Sequence, residues 1–164
     1  MKVKKTLLIL AAVVAVSLTL SPMAALGQDQ LIVVATKQTY QAAQRWTDFL
    51  TTQGIVPKNV EPAQFGQYRQ SEYIALMGGV DEAGIKDLVK EAVGDQELAA
   101  LSKKGAGKMY VKTNVWGPGQ NVVIFAGSDA KAAEKARVDA KEEWMGLFAD
   151  WFGLEMGGPS LKGY

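Results

Sequence analysis

The sequence predicts an α/β fold, a three-layer sandwich in which a mixed, mostly parallel sheet carries helices on both faces. Two observations lead there. Three runs, LIVVATK at residues 31–37, YIALM at 73–77 and NVVIFAG at 121–127, are apolar almost throughout instead of alternating, which is the pattern of strands covered on both faces. Between them lie segments whose apolar residues recur at three- and four-residue steps. Strands alternating with helices call for crossover connections and a largely parallel sheet.

Each element has its own signal. The run at 31–37 is rich in β-branched residues, and Thr39 after it is a candidate helix N-cap. Tyr40, Ala43, Trp46, Phe49 and Leu50 then form the apolar stripe of one helix over residues 40–52, closed by Gly54. Pro57, Pro62 and Gly66 break up residues 55–70, leaving a short extended piece near Asn59 and Val60 and then a loop. YIALM is the second central strand, and Gly78-Gly79 reads as the turn into a helix marked by Ile85, Leu88, Val89, Ala92 and Val93, ending near Gly94. A short helix over residues 96–103 fits LAAL flanked by charges and closes at Gly105.

MYVKTNVW, residues 109–116, alternates apolar and polar side chains. The connection from it to NVVIFAG is too short for a helical crossover, so these two strands pair antiparallel and the sheet is mixed. In that connection Pro118-Gly119 are turn residues and Trp116 is a packing side chain. Ser128-Asp129 supplies the cap of a last helix, in which Ala133, Ala136, Ala140, Trp144, Leu147 and Trp151 make one stripe across five turns. Its first half is small-sided and suited to close approach to the sheet; its second half is aromatic.

The chain is read as three parts: a leader at residues 1–27, one α/β domain at 28–155 and a loose glycine-rich tail at 156–164. Lys2, Lys4 and Lys5, an apolar run from Leu7 to Leu20, and the small residues Ala25 and Gly27 make the three-part pattern of a secretory signal peptide cleaved after Gly27. The competing reading is an uncleaved anchor, because residues 6–26 are long enough to span a bilayer, and only then would the membrane be a partner. Cleavage removes three of the 18 basic residues and none of the 17 acids, so the mature formal charge is 15 − 17 = −2. No basic field argues for nucleic acid. Without cysteine the exported domain has no disulfides and is held by packing alone.

Histidine is absent as well, which removes Ser-His and Cys-His nucleophile pairs and imidazole metal ligands. No catalytic residue, metal ligand or cofactor motif is identified. The strand, glycine pair and helix start at YIALMGGVDEAGIK resembles a phosphate cradle in outline only. Gly79 and Gly84 have P-loop spacing, but Ile85-Lys86 stand where Lys and Ser/Thr are needed, and Gly78-Gly79 does not fit G-x-G-x-x-G. Asp81 and Glu82 would repel an incoming phosphate. Thr36, Lys37, Gly78, Gly79, Gly127, Ser128 and Asp129 nevertheless all follow strand C-terminal ends, where open α/β sheets take ligands, and form one candidate rim. The charged residues Lys135, Arg137, Asp139, Lys141, Glu142 and Glu143 read as a solvated helix face. Trp144, Phe148, Trp151 and Phe152 exceed what one stripe buries, so an aromatic edge is a candidate contact for a partner, a glycan or a membrane surface.

YIALMGGVDEAGI, NVWGPGQNVVIFAGSDAKAAEKA and the LIVVATK strand with its following helix together resemble the α/β domains of archaeal surface-layer proteins and of cell-wall-binding repeats. The resemblance implies an extracytoplasmic structural or adhesive module without catalytic residues, whose partner is a cell-envelope polymer or a surface protein. The alternative is a soluble extracytoplasmic domain that binds a small ligand at the rim.

Overall fold

The computed structural model describes residues 30–154. The leader and tail expected at 1–27 and 156–164 lie outside them. In chain order the elements are β1 (Gln30–Val34), α1 (Lys37–Ala42), α2 (Gln44–Thr52), β2 (Val56–Val60), a 3₁₀ helix (Pro62–Tyr68), β3 (Tyr73–Gly79), α3 (Ile85–Val93), α4 (Asp95–Leu101), β4 (Gly107–Thr113), β5 (Asn121–Gly127), α5 (Ala130–Asp139) and α6 (Lys141–Phe152). The five strands form one sheet in the order β2-β1-β3-β5-β4. All neighbours are parallel except β4 and β5, which pair antiparallel as their short connection requires.

Because successive side chains on a strand alternate between faces, the apolar runs feed two cores. Ile32, Val34, Ile74, Leu76, Val122 and Ile124 meet Phe65 and the stripes of α3 and α4 on one face. Leu31, Val33, Ala75, Met77, Val123 and Phe125 meet Trp46, Phe49, Leu50, Trp144, Met145 and Phe148 on the other. This is the three-layer α/β sandwich that the sequence predicts. The exposed β2 edge carries Pro57, which has no N–H to offer and is tolerated there.

Four local expectations are corrected. The helix expected over 40–52 starts at Lys37, with Thr36 as its N-cap: the Thr39 N–H donates to Thr36 Oγ1 at 3.3 Å. It also breaks at Ala43, whose φ/ψ of −90°/15° lies in the bridge region. The last helix breaks in the same way at Ala140, at −91°/20°. Just before that break, the Trp144 indole N–H donates to the Arg137 carbonyl at 2.9 Å. The glycine pair is not a turn but the last two residues of β3, in register with Ala126 and Gly127. Finally, the extended piece expected near Asn59 and Val60 is β2, but the loop expected after it is a 3₁₀ helix over residues 62–68.

The expected close approach of α5 is present. A Cβ on Gly127 would lie 2.3 Å from the Ala133 nitrogen, and one on Gly107 would lie 2.3 Å from the Ala132 carbonyl oxygen. Only hydrogen fits at both positions. The loop before β5 is anchored by Gln120, which is 1% exposed. Its amide nitrogen donates to the carbonyls of Arg69 and Ser71 at 2.5 and 3.0 Å, and its oxygen accepts from the Trp116 N–H at 2.8 Å. Trp116 itself packs edge-on against Phe65.

Candidate functional site

From β1 the chain crosses to β2 on one side and then to β3 on the other, so the strand order reverses between β1 and β3. Ligands of open α/β sheets enter at the carboxyl ends of the strands at such a point. Thr36 and Lys37 follow β1, Gly78-Gly79 ends β3, and Gly127-Ser128-Asp129 ends β5 and leads into α5. The seven rim residues chosen from sequence therefore lie along one edge.

That edge is filled by the chain itself. Glu82, in the loop between β3 and α3, turns its carboxylate back across the switch point. Oε1 accepts from the hydroxyls of Thr36 and Thr39 at 2.7 and 2.6 Å, and Oε2 accepts from the Gly79 N–H at 2.6 Å. These are charge-assisted bonds of short, strong geometry. A second acid, Glu61, accepts from the Lys37 N–H at 2.9 Å. The glycines are what let the pieces meet. A Cβ on Gly78, where φ is 152°, would lie 2.6 Å from Glu82 Oε2, and one on Gly79 would lie 2.5 Å from Asp129 Cα.

At the β5 end, Asp129 caps α5 by accepting from the Ala132 N–H at 2.8 Å, and Ser128 Oγ accepts from the Gly105 N–H at 3.0 Å. The ends of β3 and β5 are in contact, tied further by the Val80 N–H to the Gly127 carbonyl at 2.8 Å. Gly78-Gly79 and Gly127-Ser128 do not face each other across an open cleft. The anion position of the outline phosphate cradle is occupied by Glu82, an acid that sequence reasoning placed at a helix start and not across the sheet. Its capture of Thr36 and Thr39, 46 and 43 residues away, left no local signal.

The aromatic candidates divide. Trp144 and Phe148 are 3% and 2% exposed, Trp144 meeting Trp46 and Phe49 edge-on and Phe148 lying tilted against Trp46, and so are core residues, not a partner surface. Trp151 and Phe152 are half-buried against Tyr73. The last charged face is also only partly solvated: Lys135 pairs with Asp139, but Arg137 is 9% exposed. Its Nε and Nη2 bond the Glu134 carboxylate at 2.9 and 2.5 Å, and its guanidinium lies 5.5 Å from the centre of the Trp46 ring. That stacking is a cation–π arrangement.

Arg137 and Trp46 belong to a cleft on this side of the sheet. The junction of α1 and α2 contributes Ala43, Arg45, Trp46 and Phe49, and α5 and α6 contribute Glu134, Arg137, Val138, Lys141 and Trp144; the cavity measures about 190 Å³. The Trp46 indole nitrogen is buried away from solvent, and among the described residues it is the one buried side-chain polar atom without a hydrogen-bond partner. A buried donor left unpaired costs about 1–3 kcal/mol, so it is the exception that calls for an explanation. Trp46 and Arg137 were read from sequence as a stripe residue and a surface charge; nothing in their spacing joins them.

Among the described residues no cluster of three or more His, Cys, Asp or Glu is placed to hold a metal ion, and no helix is long and apolar enough to cross a membrane. Comparison with models of protein families, with curated proteins and with solved structures finds no match to this chain.

Proposed function

We propose that this chain is a non-enzymatic module of the cell envelope, exported by its leader and acting in a structural or adhesive role toward an envelope polymer or a surface protein. The observation that carries the non-enzymatic part is Glu82. The switch-point edge, where α/β domains ordinarily admit substrates, is laced shut by its carboxylate and by the contact of Gly79 with Asp129. The leader pattern and the resemblance to surface-layer and cell-wall-binding domains support the envelope part. The alternative, a small ligand at the rim of Thr36, Lys37, Gly78, Gly79, Gly127, Ser128 and Asp129, has to displace that carboxylate first, and an anion has to do so against Glu61, Asp81, Glu82 and Asp129.

Fractionation of the producing cell tests the proposal. The expected result is protein in the envelope or external fraction with Gln28 at its amino terminus, and co-sedimentation of the purified protein with isolated envelope. Protein in the cytosol with residues 1–27 intact overturns it.

A further inference from the structure

We infer that the outer edge of β4 pairs with β4 of a second copy of this chain, antiparallel about a two-fold axis through Val111. The inference concerns assembly and is independent of where the protein resides. β4 is the last strand of the sheet, and two bonds fix which of its residues face β5: the Asn114 N–H to the Gln120 carbonyl, and the Ser128 N–H to the Ala106 carbonyl. Hydrogen-bonded residues alternate along an antiparallel ladder. Lys108, Tyr110 and Lys112 therefore bond to β5, while Gly107, Met109, Val111 and Thr113 turn their N–H and C=O groups outward. No described residue bonds to those outward groups. The opposite edge, β2, is blunted by Pro57, whereas residues 107–113 hold no proline. At the middle of the β4 edge Val111 is 39% exposed, one of two large apolar side chains so exposed among the described residues.

A second copy is the occupant because the edge complements itself in one register. Centring the axis on Lys108 or Lys112 sets that lysine against itself, and centring it on Tyr110 sets Lys108 against Lys112 twice; like charges directly opposite are destabilising. Centring it on Met109 brings the copies together at the α5 end, where the Ala132 carbonyl oxygen would lie 2.3 Å from a Cβ on Gly107, and places Val111 against that glycine. Centres at Gly107 or Thr113 pair almost nothing. With the axis at Val111 the two valines cover each other. Met109 then faces Thr113 of the second copy, which enters the groove of about 460 Å³ that Met109 forms with Ala136, Asp139, Ala140 and Glu143. On the other face Lys112 of the second copy stands opposite Tyr110, whose hydroxyl donates to Glu97 Oε2 at 2.9 Å. Lys108 uses the same oxygen at 3.4 Å, which leaves Oε1 of Glu97 for that lysine. Lys112 makes no ion pair of its own among the described residues, so the two-fold supplies two complementary charge pairs and no repulsive one. The contact is small, with about six backbone bonds, so the dimer is reversible.

The sequence has no cysteine, so single cysteines report the register. Val111→Cys is expected to oxidise to a covalent dimer, because the Cα atoms of a hydrogen-bonded pair lie about 5.5 Å apart, within disulfide reach. Thr113→Cys alone should not, its two copies standing about 14 Å apart along the strands, but an equal mixture with Met109→Cys should give the mixed dimer. Sedimentation of the unmodified protein at concentrations up to about 1 mM should show reversible dimerisation. Val111→Lys sets two lysines face to face and Lys112→Glu sets an acid against Glu97 of the second copy, and each should weaken the dimer at least tenfold. Val111 and Thr113 are exposed, so their variants keep the fold, which circular dichroism checks. A monomer throughout that concentration range, a dimer that Val111→Lys leaves intact, or faster cross-linking of Thr113→Cys than of Val111→Cys overturns the inference. Each of these results leaves the envelope proposal untouched.

Discussion

Removing the Glu82 carboxylate should loosen the domain at the junction of β1, β3 and α1. The carboxylate accepts three hydrogen bonds of 2.6 to 2.7 Å, and bonds to a charged acceptor contribute about 1.5–3 kcal/mol each. The three are not additive, and Glu82 is half-exposed, so water replaces part of what is lost. Glu82→Ala is therefore expected to cost about 2–3 kcal/mol, mostly through the stranded Thr36, Thr39 and Gly79 donors. Glu82→Gln should cost about half of that: its oxygen can take the Gly79 N–H, and both threonine hydroxyls can rotate to accept from its amide. Urea unfolding followed by tryptophan fluorescence measures both variants. A double-mutant cycle with Thr39→Val isolates one contact and should give a coupling of about 1 kcal/mol. A loss below about 0.5 kcal/mol for Glu82→Ala, with no coupling to Thr39, would refute the claim that this acid closes the switch point.

Other outcomes follow from the same geometry. Burial, and then the hydrogen bond and charge of the Glu97 carboxylate 2.9 Å away, hold the Tyr110 phenol well above its ordinary value of 10. A raised folded-state value adds stability that is fully present below pH 10 and is lost as pH rises toward the folded value. Ultraviolet titration should show one tyrosine that ionises only with alkaline unfolding, and Tyr110→Phe should remove it. Gln120→Glu replaces two donors to the Arg69 and Ser71 carbonyls with an acceptor, and chemical denaturation should show a loss of about 3 kcal/mol. Gly127→Ala drives a methyl into the α5 backbone and should cost about 2–3 kcal/mol, read as a lower melting temperature, whereas Gly54→Ala, with open space at its Cβ but a φ of 86°, should cost less.

Local chemistry decided a large part of this protein from the sequence alone. The three apolar runs became β1, β3 and β5, the central strands, because a segment with apolar residues on both faces has no stable place except between two helical layers. Gly94 ended α3, Asp129 capped α5, and the brevity of the WGPGQ link fixed the antiparallel pair, since each is a constraint within a few residues. Tertiary structure decided the rest. The breaks at Ala43 and Ala140 carry no glycine or proline; each lies within four residues of a tryptophan, Trp46 or Trp144, and these two rings meet each other while Trp46 also meets Phe125. Glu82 reaching Thr36, and Arg137 lying over Trp46, depend on hydrogen bonds and ring contacts between residues 46 and 91 positions apart, and periodicity has no information at that range. Strand and helix identity is a short-range property of the chain, but whether a rim is open or filled is settled only by which distant side chain arrives there.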